Sequence, residues 1–256
     1  ARLMTAIKEQ KELSPNAILV DGGDFSMGSL FQTAYSTDAL ELRMMGAMGY
    51  DAVTLGNHEF DYQLARLVEL NNLSNTQFLS CNFAKVGEDK SYFDSYTIVS
   101  YGDVEIAYIG ITTPSTISSS NPAQFKNEDG EIIYTFNEAD MYSLVQANID
   151  AAEKAGADYV IALSHVGYDE SDELFDITDI IENTDGFDVV LDAHAHLVIE
   201  NKTIKDKSGD DVLLSSTGTK FEYIGKLTIT EDGPHTELME TATYEKTDAT
   251  VDEYLA

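Results

Sequence analysis

Asp24, Asn57, His58, His165, His194 and His196 share one property: each closely follows a short apolar run. The runs read "ILVDGGD", "VTLGNHEFD", "VIALSHVG" and "VVLDAHAH". Of the 5 histidines only His235, in the turn-like "DGPHTE", lies elsewhere. Singly, each residue has an ordinary explanation. A carboxylate after Gly-Gly makes a turn or caps a helix, and a lone histidine at a strand end is usually hydrogen-bonded. Jointly, apolar runs that end in Asp, Asn, His and His-x-His describe a set of metal ligands. Two histidines around one small residue can reach two neighbouring ions, and a carboxylate can bridge both. An Asn carbonyl and imidazole nitrogens complete a mixed N/O set that suits Zn, Mn or Fe rather than a soft thiolate site.

Something must hold these residues at one place. The apolar spacing over 2–13 predicts a helix stopped by Ser14-Pro15-Asn16. A buried strand follows over 17–21, then a helix over 38–48, a strand over 51–56, a helix over 61–73 and a strand over 77–82. Further strands are expected over 104–111, 158–165 and 188–196, and helices over 138–155 and 172–183. From Leu213 the pattern turns to strands, "VLLSST" and "EYIGKLTIT". Residues 115–130, rich in Ser and Asn with Pro114 and Pro122 nearby, read as a long surface loop. Strands alternating with helices predict an α/β sheet covered by helices, and ligands of such sheets gather at the carboxyl ends of strands. No Gly/Ser or Pro-rich linker divides the chain, so one domain is expected.

Composition narrows the function. The chain has 256 residues, 46 acidic against 15 basic, for a net charge of −31. That field repels nucleic-acid backbones and anionic lipid, so no polymeric nucleic acid is an expected partner. No apolar run is long enough to span a bilayer. The single Cys81 excludes an internal disulfide and a cysteine-based zinc cluster, and "QFLSCN" places it in a buried strand. An anionic substrate such as a phosphate needs local positive charge, for which a metal is the natural source.

The elements "GGDFSMGS", "GNHEFD", "SHVG" and "AHAH", in this order and spacing, resemble the calcineurin-like metallophosphoesterases. Within them the likeness is to the bacterial 5′-nucleotidase and 2′,3′-cyclic-nucleotide phosphodiesterase group. The resemblance implies a layered αββα sandwich, with helices covering two packed mixed sheets. It implies that Asp24 bridges two ions, that Asn57, His165 and His194 complete one metal site, and that His196 serves the other. It makes His58 no ligand but the residue facing the phosphate, oriented by Asp61. The implied reaction is hydrolysis of a nucleotide phosphoester by hydroxide attack on phosphorus at two divalent ions. Residues 1–256 then form one metallophosphoesterase domain, expected to lack the family's first strand, which ends in Asp-x-His, and its C-terminal nucleotide-binding domain. That leaves one metal site whole, so about one ion is expected here against two in the complete family site. It also leaves open a non-catalytic domain that binds metal or ligand without turnover. The same reading expects an open sheet edge beside residues 17–21, available for oligomerisation, and a location outside the cytoplasm: extracellular, periplasmic or in the cell wall. Ala193, before His194, stands where the group usually has Gly.

Overall fold

A computed structural model describes residues 2–27, 34–35, 37–168, 175–249 and 251. In chain order the elements are α1 (Arg2–Leu13), β1 (Val20–Asp21), α2 (Leu40–Met48), β2 (Ala52–Thr54), α3 (Leu64–Leu73), β3 (Gln77–Leu79), β4 (Ala84–Lys85), β5 (Tyr96–Tyr101) and β6 (Val104–Thr112). There follow α4 (Thr116–Ser119), β7 (Tyr134–Thr135), α5 (Met141–Lys154), β8 (Tyr159–His165), α6 (Ile177–Asn183), β9 (Val189–Leu191), β10 (Val198–Lys205), β11 (Asp211–Thr217), β12 (Tyr223–Thr230) and β13 (Gly233–Glu240).

Two sheets face each other. The smaller has the order β1-β2-β3 and the larger β10-β11-β9-β8-β6-β5. In the larger sheet the β11-β9, β9-β8 and β8-β6 pairs are parallel, and the flanking β10-β11 and β6-β5 pairs are antiparallel. It is therefore mixed, whereas the smaller sheet carries only parallel pairs among the described residues.

The two-residue period of a strand sorts side chains into layers. On β6, Ile106 and Tyr108 point between the sheets while Ala107, Ile109 and Ile111 point outward to α5 and α6. On β8, Ile161 and Leu163 point inward and Val160 and Ala162 outward. Ala52 and Leu79 of the smaller sheet meet that inner layer, and Val53 and Phe78 turn to α1, α2 and α3. The outcome is the expected helix–sheet–sheet–helix sandwich. Leu227 and Ile229 of the β12-β13 hairpin pack against the inner layer, as do Ile18 and Val20.

Helix α5 follows from its sequence. Met141, Val145, Ile149 and Ala152 recur at helical spacing, and all are buried. Helix α6 begins with a capping box in which Asp176 accepts from Thr178 N and Asp179 reaches back to Asp176 N. Part of its expected span, 172–174, lies outside the described residues.

Several expectations change. The strand expected over 188–196 ends at Leu191, because His194 and His196 hold φ of 75° and 57°, which no strand tolerates. The strand over 17–21 pairs only at Val20–Asp21. Ahead of it Leu19 N–H donates to the Asp51 carboxylate and Leu19 O accepts from Asp51 N. His235 is exposed on β13 rather than in a turn, and the 115–130 loop contains α4 and a 3₁₀ turn at Pro122–Phe125.

Cys81 lies just past β3, 2% exposed, with its thiol pushed up to about 12 by burial. The thiolate is the reactive form. Native protein should therefore resist a disulfide-exchange reagent until denaturant is added, and rapid labelling of folded protein would contradict this burial. Among the described residues no helix is long and apolar enough to cross a membrane.

Candidate metal centre

The turns that follow the carboxyl ends of β1, β2, β8 and β9 meet at one place, the site cleft. Asp24 arrives from the Gly22-Gly23 turn after β1, and His165 is the last residue of β8. Asp24 Oδ2 stands 3.1 Å from His165 Nε2, off the line a hydrogen bond requires. Asp24, His165 and His194 each offer one ligand atom, and these atoms lie within 4.8 Å of one another. The His165 and His194 rings are 5.0 Å apart, centroid to centroid.

The second nitrogen of His165 settles its orientation. Nδ1 donates to Gly22 O at 2.6 Å, so Nε2 is the atom left for Asp24 and the cleft. Burial works against charge on both partners, yet their mutual attraction prevails. Asp24 is held down to about 2, and His165 is raised to about 9. Asn57 is 4% exposed, and its buried Oδ1 has no hydrogen-bond partner among the described residues. A buried carbonyl without a donor costs about 1–3 kcal/mol, and a cation would relieve that cost. The donor set of carboxylate, imidazoles and carbonyl fits a borderline divalent ion.

His58 stands apart from that group. Its Nδ1 meets Asp61 Oδ2 at 2.5 Å, one turn of 3₁₀ helix away, and the two side chains are 28% and 30% exposed. The spacing of "NHEFD" thus builds a hydrogen-bonded pair that is partly open to solvent. His196 is exposed and lies outside the 4.8 Å group, two residues past His194.

The turns that carry these residues are pressed together. A Cβ on Gly23, whose φ is 93°, would stand 2.5 Å from Gly56 N. A Cβ on Gly22 would stand 2.8 Å from the Cβ of Ala193, so alanine at 193 fits because Gly22 has no side chain. Asp24, His194 and His196 all hold positive φ, of 62°, 75° and 57°. Strain of this kind collects at functional sites.

Two buried carboxylates near the site were not singled out by residue type. Asp192, pushed up to about 6 by burial, accepts from Val166 N and Gly167 N and shapes the turn after His165. Glu59, pushed up to about 7 by burial and by the charge of Asp24, lies beneath Asp24. The one sequence signal for Glu59 was a charged residue directly before the apolar Phe60 in "NHEF".

Residues 1–198 match the family model described as calcineurin-like phosphoesterase. The chain is similar to 5′-nucleotidase of Bos taurus, 30% identical over 201 residues that make up 77% of this chain and 32% of that protein. It is also similar to a 2′,3′-cyclic-nucleotide 2′-phosphodiesterase/3′-nucleotidase of Haemophilus influenzae, 27% identical over 238 residues, 83% of this chain and 34% of that one. The chain thus spans about a third of the curated relatives it matches. Among solved structures, a 5′-nucleotidase precursor of Thermus thermophilus superposes with a TM-score of 0.80 at 23% identity, covering 98% of this chain and 51% of that one. A sulfate thiohydrolase of the same genus superposes with a TM-score of 0.82 at 20% identity, covering 99% and 45%. Likeness of fold alone therefore does not name the bond that is cleaved.

Proposed function

This chain belongs to the calcineurin-like phosphoesterase family, and we propose that it hydrolyses nucleotide phosphoesters, as a 5′-nucleotidase or 2′,3′-cyclic phosphodiesterase, with the help of bound divalent metal. The observation that carries this is the convergence of Asp24, His165 and His194, with the buried Asn57 carbonyl, unpartnered among the described residues, lying between Gly56 and His58, which both touch Asp24. Asp24, Asn57, His165 and His194 would hold one ion. Asp24 and the exposed His196 would serve a second.

When bound, the metal supplies charge neutralisation at the phosphoryl group and acidifies water for attack on phosphorus. That role answers the charge problem of a chain at −31. His58 acts on the other side of the reaction. With Nδ1 occupied by Asp61, Nε2 is the nitrogen left to carry a proton to the leaving oxygen as its bond to phosphorus breaks. Asp61 holds the ring in that orientation. A location outside the cytoplasm accords with the acidity of the chain.

A second reading, metal or ligand binding without turnover, is favoured by one observation: His196 lies outside the convergent group. Metal content after dialysis and hydrolysis of AMP and a chromogenic phosphodiester with Mn²⁺ decide between the two. The proposed function expects bound metal, chelator-sensitive hydrolysis, and loss of both in His165→Ala. Metal without hydrolysis would favour the second reading, and absence of metal binding would overturn both.

A further inference from the structure

Glu59 is wholly buried, yet the chemistry above gives it no task. Its hydrogen bonds suggest one. Oε2 accepts from Asp24 N at 2.8 Å and Gly56 N at 2.7 Å, and Oε1 accepts from Ser26 N at 3.1 Å and Ser26 Oγ at 3.0 Å. One carboxylate thus gathers backbone amides from the turn after β1 and the turn after β2.

The exchange is reciprocal. Asp24 Oδ1 accepts from His58 N at 2.9 Å, across 34 residues of sequence. In a capping box a helix-start residue accepts an amide of the first turn, and an acidic residue of that turn reaches back to the start residue's own amide. Helix α6 builds one inside a single segment. At the cleft the same two bonds join separate segments. Asp24 caps the 3₁₀ turn His58–Phe60, and Glu59 of that turn holds Asp24 N.

The consequence falls on Asp24. Its backbone sits at φ 62°, in the left-handed region that carries a cost for any residue other than glycine, though aspartate tolerates it better than most. With N–H tied to Glu59 and Oδ1 tied to His58, Oδ2 is the oxygen directed at His165. We propose that Glu59 is a positioning residue for the metal centre: it locks the Asp24 and Asn57 turns together and so aims Asp24 Oδ2 into the cleft. This rests on the metal-dependent reading above.

Glu59→Gln keeps the shape of the side chain but turns an amide donor toward one pair of donors. Two quantities are to be measured: hydrogen exchange of the Asp24, Ser26 and Gly56 amides in chelator-treated protein, and the Mn²⁺ dissociation constant by calorimetry. The proposal expects exchange at those amides to accelerate tenfold or more while β6 and β8 are unchanged, with the Mn²⁺ dissociation constant raised at least tenfold. Wild-type exchange, or faster exchange with wild-type affinity, would overturn it. If Glu59→Gln does not fold, Ser26→Ala removes a single donor. The same two readouts should then shift by about threefold, and no shift in either counts against the proposal. If the wild-type protein binds no Mn²⁺, the metal-dependent reading fails by itself, and exchange at Asp24 and Gly56 still decides whether Glu59 holds the two turns.

Discussion

If the proposed hydrolysis is correct, His58→Ala should lower turnover by about two to four orders of magnitude and leave the metal content of the protein unchanged. The size is that of a lost general acid, roughly 3–5 kcal/mol of transition-state stabilisation. The separation of the two effects comes from geometry. The His58 ring meets Asp61, outside the Asp24–His165–His194 group. What His58 gives to that group is its backbone N–H, donated to Asp24 Oδ1, and alanine retains it. Steady-state rates on a phosphomonoester, with elemental analysis of the same samples, read both quantities. Loss of metal along with activity would make His58 a ligand and refute the assignment.

Gly56→Ala should do more damage than any other single methyl at the site. The new Cβ would lie 2.2 Å from Asp24 Oδ1, 2.7 Å from Asp24 N and 2.7 Å from His165 Cε1. None of these can yield cheaply. Asp24 N is backbone held by Glu59, and His165 is buried with its far nitrogen tied to Gly22 O. Overpacking of this kind costs about 1–3 kcal/mol, which lowers the melting temperature by roughly 2–12 °C in a chain of this size. Metal binding should be lost as well, because Asp24 has to move. Gly46→Ala is the matched control. Nothing lies within 4 Å of its Cβ in the last turn of α2, and alanine favours helix by up to about 1 kcal/mol over glycine. A Gly56→Ala protein that melts with wild type and keeps its metal would show that the two turns are not packed as described.

The elements that were plain in the sequence are those whose burial repeats with one period. The helical stripe of α5 and the apolar core of β8 announce themselves, because each must cover one buried layer. Among the strands passed over, β5, β10 and β13 are only partly covered, so their patterns are diluted, and β4 and β7 are two residues each. β5 and β10 are the edges of the larger sheet, and their pairing is decided by a neighbour rather than by their own residues.

The same division runs through the site. Residue type and order alone put forward Asp24, Asn57, His58, His165 and the two histidines of "AHAH" as candidate ligands, because histidine is scarce here and its places after apolar runs are few, and the family resemblance then set His58 apart. The pairing of His58 with Asp61 came from the family resemblance, and the structure sets the two one 3₁₀ turn apart. Only the tertiary structure decided the rest. Three site residues hold left-handed backbone, Gly56 lies against Asp24, and Glu59 clamps a turn 35 positions away. Local sequence reports which face of an element is buried. Which atoms meet across the cleft depends on how two sheets are set against each other, and that is fixed by side chains far apart along the chain.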